Sequence, residues 1–146
     1  MKNLSKISIL VITFILSYTS FGQTRAIDSL VQKINNKDAY LLLVKTISPR
    51  IKGDENKKII KIGKEITPDL IKILDNQNKG IAAHFILSEI WNEIWDEEVC
   101  CNISYNGDAE IVTINGLRIY IENNILFSTD EDLKKNKKNW ENIWHS

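Results

Sequence analysis

Several residue types are scarce in this 146-residue chain, and each shortage excludes a class of protein. Only two cysteines are present and they are adjacent, so no third cysteine is available for an ordinary intramolecular disulfide. With two prolines, six glycines and 43% hydrophobic residues, the composition is that of a globular chain and not of a fibrous or disordered one. The 19 basic and 19 acidic residues leave no net charge, which excludes the strong basic excess of a typical nucleic-acid-binding protein.

Recognisable catalytic motifs are also missing. The chain has no Gly-x-Ser-x-Gly turn, no glycine-rich phosphate loop and no His-Glu-x-x-His motif. His84 and His145 have no partner at the spacing of a catalytic dyad or zinc site. His84 lies among Ala, Phe and Ile residues, a setting more typical of a hydrogen-bonded core histidine than of a catalyst. We therefore predict no enzyme, metal or cofactor, and a hydrolase is the least favoured interpretation.

The N-terminal apolar run has the length of a secretory signal rather than that of a membrane anchor. Lys2 and Lys6 form a basic start, and Ile7–Leu16 follows as a nearly unbroken apolar segment. The wider segment Ile7–Phe21 has 15 residues, whereas a membrane-spanning helix needs roughly 20. An uncleaved anchor is the alternative, and this length disfavours it.

A cleavage pattern follows this segment. Ser20 and Gly22 are small residues at positions −3 and −1 of a cut before Gln23. We expect a signal peptide over residues 1–22 and one mature domain over 23–146, periplasmic or secreted, without stable membrane insertion. Removing the signal leaves 17 basic and 19 acidic residues, a net charge of −2, so a nucleic-acid partner is not expected.

The first half of the mature chain shows the hydrophobic periodicity of short helices. We predict helices over 26–35, 38–48 and 57–66, the second capped by Asp38 and ended by Pro49. A charged loop is expected between the second and third of these helices.

Two further helices are predicted between Thr67 and about Trp95. Thr67-Pro68-Asp69 is a helix start with Thr67 as the cap and Pro68 in the first position. A turn over 75–80 separates this helix from the next, which runs from Ile81 to about Trp95. Because the helix from Ile81 to about Trp95 is apolar on nearly all sides, we expect it at the centre of the core.

The second half changes to strand patterns. Asn115-Gly116 between two alternating segments is a strong signal for a two-residue turn and predicts a hairpin over 109–122. The turn fixes the register, so one face is almost wholly aliphatic and must pack on the core. The other face pairs Thr113 with Arg118 and Ile111 with Tyr120.

Further elements complete this half. Cys101–Tyr105 and Ile125–Phe127 are expected to add strands, which gives a sheet over 100–127. Thr129 is expected to cap a last helix over 129–145 that has three acids in its first turn. Its four lysines (Lys134, Lys135, Lys137 and Lys138) are typical of a solvated helix.

One segment resembles a known repeat. Pro68-Asp-Leu-Ile-Lys-Ile-Leu-Asp75, a turn, and Gly80-Ile-Ala-Ala-His-Phe-Ile-Leu87 resemble one degenerate HEAT-like unit over about 67–91. Gly80 stands where such units often carry Arg or Lys. HEAT-like repeats build surfaces that bind proteins or other ligands, so the resemblance implies binding rather than chemistry. The helices predicted earlier in the chain would supply further degenerate units.

The adjacent pair Cys100 and Cys101 is a possible redox site or metal-binding pair. A bridge between them requires a distorted peptide, since bonded cysteines need Cα atoms at least about 4.4 Å apart and neighbours are near 3.8 Å. No further soft ligand lies nearby in the sequence. We favour a structural role, with an intermolecular disulfide as the main exception.

Two sets of side chains are candidates for binding. Acidic residues cluster between positions 89 and 98, either as a solvated helix face or as a patch that contacts a partner. Trp91-Asn-Glu-Ile-Trp95 and Trp140-Glu-Asn-Ile-Trp144 each place two indoles one turn apart, either as an aromatic platform or as core packing of one pair against the other. The candidate binding residues are Glu89, Glu93, Asp96, Glu97, Glu98, Trp140 and Trp144.

These observations predict an α+β fold with a HEAT-like helical layer over 26–96, an antiparallel sheet over 100–127 and a C-terminal helix over 129–145. The expected function is a secreted or periplasmic, non-catalytic protein-interaction module, of which an inhibitor or an immunity-type protein is an example. The alternative is a carbohydrate- or small-ligand-binding accessory protein that uses exposed Trp residues.

Overall fold

The computed structural model describes residues 26–43, 47–92, 102–106 and 109–146, and within them the fold is α+β. The helices are α1 (26–33), α2 (Asp54–Ile62), α3 (Thr67–Lys72), α4 (Gly80–Ile90) and α5 (Asp130–His145). The strands are β1 (Ala39–Leu43), β2 (Ile47–Ile51), β3 (Asn102–Asn106), β4 (Ala109–Ile114), β5 (Leu117–Glu122) and β6 (Ile125–Phe127). Short 3-10 helices cover Asn36–Asp38 and Gly63–Ile66.

The helix predicted over 38–48 is wrong, because this segment forms a β-hairpin. Strands β1 and β2 pair antiparallel and pack on α4, so the expected helical layer over 26–96 is interrupted. Asp38 does not cap a helix; its carbonyl accepts a hydrogen bond from the N–H of Lys52 at 2.9 Å, at the open end of the hairpin. Short apolar runs do not distinguish strand from buried helix by periodicity, and Pro49 is tolerated in an edge strand. The further HEAT-like unit expected here is therefore absent.

The segment resembling a HEAT-like unit folds as the predicted pair of helices, α3 and α4, joined by a turn. The predicted role of Thr67 is wrong. Thr67 is already helical because the 3-10 turn leads directly into α3, and its side chain makes no capping bond. Its hydroxyl instead accepts a hydrogen bond from the indole N–H of Trp91 at 3.0 Å, which ties the start of α3 to the end of α4.

Helix α4 occupies the centre of the core, as predicted. All nine residues from Gly80 to Ser88 are buried. Its N-terminus is capped from outside, because Lys79 offers no side-chain acceptor there. Asn36 Oδ1 accepts from the N–H of Ala82 at 3.0 Å, and Asn36 Nδ2 donates to the carbonyl of Gln77 at 2.8 Å. A residue from the N-terminal part of the chain thus satisfies the free N–H of a buried helix start.

The second sheet has the strand order β3-β4-β5-β6, with every neighbouring pair antiparallel. The predicted hairpin and its register are confirmed, with Ile114 opposite Leu117. Asn115 and Gly116 have φ values of 46° and 87°, as a type I′ turn requires. Asn123 and Asn124, with φ values of 50° and 62°, make a second two-residue turn into β6. The aliphatic face is buried through Val112, Ile114, Leu117 and Ile119.

Helix α5 packs on β5 and α3 and completes the core. Thr129 caps it as predicted, because its hydroxyl accepts from the N–H of Asp132 at 3.1 Å. Leu133 and Trp140 are each only 1% exposed. Among the described residues, no helix is both long enough and apolar enough to cross a membrane.

Asn136 is an uncompensated polar group in this core. The side chain is 1% exposed, and neither its Nδ2 nor its Oδ1 has a hydrogen-bond partner in the described part of the chain. We expect Asn136→Leu to raise the free energy of unfolding by about 1–2 kcal/mol, because burying an unpaired amide is unfavourable. Urea denaturation measures the change. Asn142→Leu, at an exposed position of α5, is the control and should change it by less than about 0.5 kcal/mol. A less stable Asn136→Leu protein would contradict the prediction.

Candidate binding surface

The structure describes three of the seven candidate binding residues. Glu89 is exposed near the end of α4. Trp140 is buried and Trp144 is partly exposed. The other four carboxylates, Glu93, Asp96, Glu97 and Glu98, lie outside the described residues, as do Cys100 and Cys101.

The prediction of Trp140 as a surface binding residue is wrong. Its indole is 1% exposed, and its N–H donates a hydrogen bond to Nδ1 of His84 at 3.0 Å. The rings of the two residues meet edge to face, with centroids 6.1 Å apart. The amphipathic pattern of α5 turns this indole inward, so it offers no stacking surface to a glycan.

His84 is a fully buried histidine whose two ring nitrogens are both engaged. Nδ1 accepts from Trp140, so the proton is on Nε2, which donates to the carbonyl of Ile114 at 2.8 Å. Burial lowers the pKa of His84 to about 4, and the hydrogen bond to Ile114 opposes this shift only in part. The neutral ring joins α4, β4 and α5, as expected of a core histidine, and is sealed from any substrate.

The expectation that one tryptophan pair packs against the other is confirmed for Trp91 and Trp144. Their ring centroids are 6.1 Å apart at an interplanar angle of 88°. The Nζ of Lys64 lies 4.3 Å from the centroid of the Trp91 ring, which gives a cation–π contact. Trp144 remains 37% exposed, but part of its ring packs against Trp91. Trp95 lies outside the described residues.

Within the described ranges, no three His, Cys, Asp or Glu residues come together in a group that could hold a metal ion.

The outer face of the second sheet carries a row of apolar side chains. On the side opposite the core, Ile111 lies across from Tyr120, and Tyr120 lies across from Phe127. The rings of Tyr120 and Phe127 stack, with centroids 5.3 Å apart and planes 18° apart. None of the three side chains is buried. We call Ile111, Tyr120, Ile125 and Phe127 the outer apolar patch.

The outer apolar patch is most open at the edge strand β6. Ile125 and Phe127 alternate with the inward-facing Leu126, and they are 67% and 40% exposed. Scattered apolar residues on a surface are ordinary, but neighbouring ones across adjacent strands form a contiguous patch. Such patches on a folded protein mark sites of interaction.

Acidic side chains lie beside this patch. Glu122 is exposed across from Ile125, and Asp132 and Glu131 in the first turn of α5 lie near Arg118 on β5. Asp130 instead accepts a hydrogen bond from the side chain of Gln77. Arg118 is the nearest basic residue on β5, and its pKa is raised, first by a hydrogen bond with Tyr120 and then by the charge of Asp132. Glu122, Glu131 and Asp132, which we call the acidic rim, therefore outnumber Arg118 beside the patch.

Sequence reasoning predicted the pairs on the outer face but did not assign them a function. The available signal was the outward position of Ile111 and Tyr120 in a hairpin of known register. A second signal was the spacing of Ile125 and Phe127, two residues apart in the next strand. Together these residues predict one apolar surface, provided that β6 joins the same sheet.

Comparisons with protein-family models, with curated proteins and with solved structures gave no match.

Proposed function

We propose that this chain is a non-catalytic protein-interaction module that acts in the periplasm or outside the cell and binds its partner through the outer apolar patch. The observation that carries the proposal is the exposed row formed by Ile111, Tyr120 and Phe127, extended at the edge by Ile125. The signal-peptide pattern over 1–22 supports the location.

The composition of the patch favours a protein partner over a glycan. Two of its four side chains are aliphatic, and its two rings stack on each other, so each ring has one face covered. An apolar centre with a polar rim is the usual anatomy of a protein interface. The carbohydrate alternative relied on Trp140 and Trp144, and burial of Trp140 removes the first of them.

The chemistry of the buried groups gives no support for catalysis. A catalytic base must reach a substrate proton, and His84 is enclosed with both nitrogens bonded. The acidic residues between Glu89 and Glu98 stay a predicted second contact with the partner.

Site-specific photo-crosslinking in cells that express the protein tests this proposal. A photoreactive phenylalanine analogue at position 127 should form a discrete adduct with another envelope or secreted protein. The matched control is the same analogue at Leu42, which is equally exposed, 41% against 40% for Phe127, but lies on the other sheet. Ile125→Asp in the same chain should reduce the yield at position 127. Equal adducts from positions 42 and 127, or none from 127, would count against the patch.

A further inference from the structure

We infer that β6 receives an extended, basic segment of the partner as an added strand, an inference that rests on the proposed function and specifies how the patch is used. Three features of β6 in the described sheet support it: backbone groups that face away from β5, apolar side chains along the strand and the acidic rim beside it.

The backbone of β6 has hydrogen-bonding groups available at its centre. The two-residue turn pairs Glu122 with Ile125, so these two residues exchange both hydrogen bonds, and so do Tyr120 and Phe127. Leu126, between them, turns its N–H and C=O away from β5. In the described sheet β6 is the last strand, so these groups face its open side.

The three residues of β6 are all apolar. Natural edge strands are protected by short length, lysine, proline, a bulge or inward-pointing charge, and β6 is short but carries none of the other devices. An added strand would place its own alternate apolar side chains beside Ile125 and Phe127. The stacked ring of Tyr120 would support this contact from the neighbouring strand. Main-chain bonds and side-chain contacts would thus act together.

The charge around β6 determines which strand fits. Glu122 is exposed across from Ile125, and Glu131 and Asp132 lie near Arg118, so these acids outnumber the one arginine beside them. Complementarity therefore requires basic residues in the incoming segment. A second copy of this chain would bring the same carboxylates against their equivalents, and like charges at an interface disfavour association.

Peptide binding to the folded mature chain tests the inference. The probe is a short synthetic peptide of alternating lysine and valine, followed by amide NMR and by hydrogen exchange. We expect chemical-shift changes on β6 and slower exchange of the Leu126 amide. The same peptide with glutamate in place of lysine should not bind. A third peptide, N-methylated on the backbone groups that would face β6, should also fail, because it keeps the side chains but cannot pair.

Charge variants give a matched control in the protein itself. Neutralising two rim acids in the variant Glu122→Gln/Glu131→Gln should weaken binding of the lysine peptide about three- to tenfold. Glu141→Gln, an exposed acid on the later part of α5, should leave it unchanged. Equal binding of the N-methylated or the glutamate peptide would overturn the inference, as would concentration-dependent dimerisation through β6. If no peptide binds while position 127 still crosslinks to a partner, strand addition fails and the proposed function survives; if both fail, neither stands.

Discussion

Lowering the pH from above 6.5 to below 4 is expected to remove about 3 kcal/mol of the free energy of unfolding through His84 alone. The pKa of His84 falls to about 4 in the folded protein, whereas an unfolded histidine titrates near 6.5. Between these values the unfolded chain binds the extra proton and the folded chain does not. Stability is therefore complete above this range, falls as the pH drops through it, and loses nothing further to His84 below it.

The geometry explains why the folded state resists protonation. A proton on Nδ1 would place two donors face to face, because that nitrogen accepts the indole N–H of Trp140. The charged ring would also lack solvent in a fully buried position. We therefore expect acid to break the hydrogen bond between Trp140 and His84 that joins α5 to α4.

Chemical denaturation at a series of pH values measures this effect. His84→Gln should be less stable than the native protein at neutral pH. Between pH 6.5 and 4, however, its free energy of unfolding should lack the fall that His84 causes in the native protein. His145→Gln is the matched control, since His145 is exposed at the end of α5, and its curve should follow that of the native protein. Parallel curves for the native protein and His84→Gln would show that His84 does not control acid stability.

Replacing Gly80 with alanine is expected to cost about 2–3 kcal/mol, although alanine is the better helix former. A Cβ at this position would overlap the backbone carbonyl oxygen of Leu74 and lie 2.9 Å from Cδ2 of Leu133. The carbonyl cannot rotate away easily, because the turn before α4 is fixed by the bond from Gly80 N–H to the carbonyl of Asn76 at 2.7 Å. The helix start or α5 would have to move.

The same substitution at Gly63 measures the cost of an unfavourable backbone conformation without any close contact at the added Cβ. A Cβ there meets no atom within 4 Å, so the cost arises only from the backbone conformation, with φ 77° and ψ −148°. We expect about 1–3 kcal/mol for Gly63→Ala from this backbone strain alone. Urea denaturation of both variants gives the comparison. A Gly80→Ala protein as stable as the native one would mean that the contact with Leu74 is not tight.

Local rules were sufficient where the interactions are local. Asn115-Gly116 determined the hairpin and its register, and Thr129 determined the start of α5, because both depend on neighbours within four residues. The same rules failed at Thr67, whose hydroxyl has a partner 24 positions away. They failed again over 39–47, where packing of two strands on α4 decided between helix and strand.

The candidate surface was predictable in part. Its strands and the outward positions of Ile111 and Tyr120 follow from the alternation of the hairpin. The burial of Trp140 does not follow from the spacing of the two indoles alone; it follows from the side of α5 that Trp140 shares with Leu133, which meets the core. The contact of Trp140 with His84, 56 positions earlier, depends on the tertiary structure.

By itself the sequence determined the α+β class, the central apolar helix, the hairpin register and the capped last helix, since each depends on periodicity or turn chemistry within a short segment. Only the tertiary structure decided that 39–51 forms a hairpin, that Asn36 caps α4, and that Gly80 must lack a side chain. It also decided that the apolar residues of β6 stay exposed beside an acidic rim. These outcomes depend on contacts between residues far apart in the chain, and no local pattern encodes such contacts.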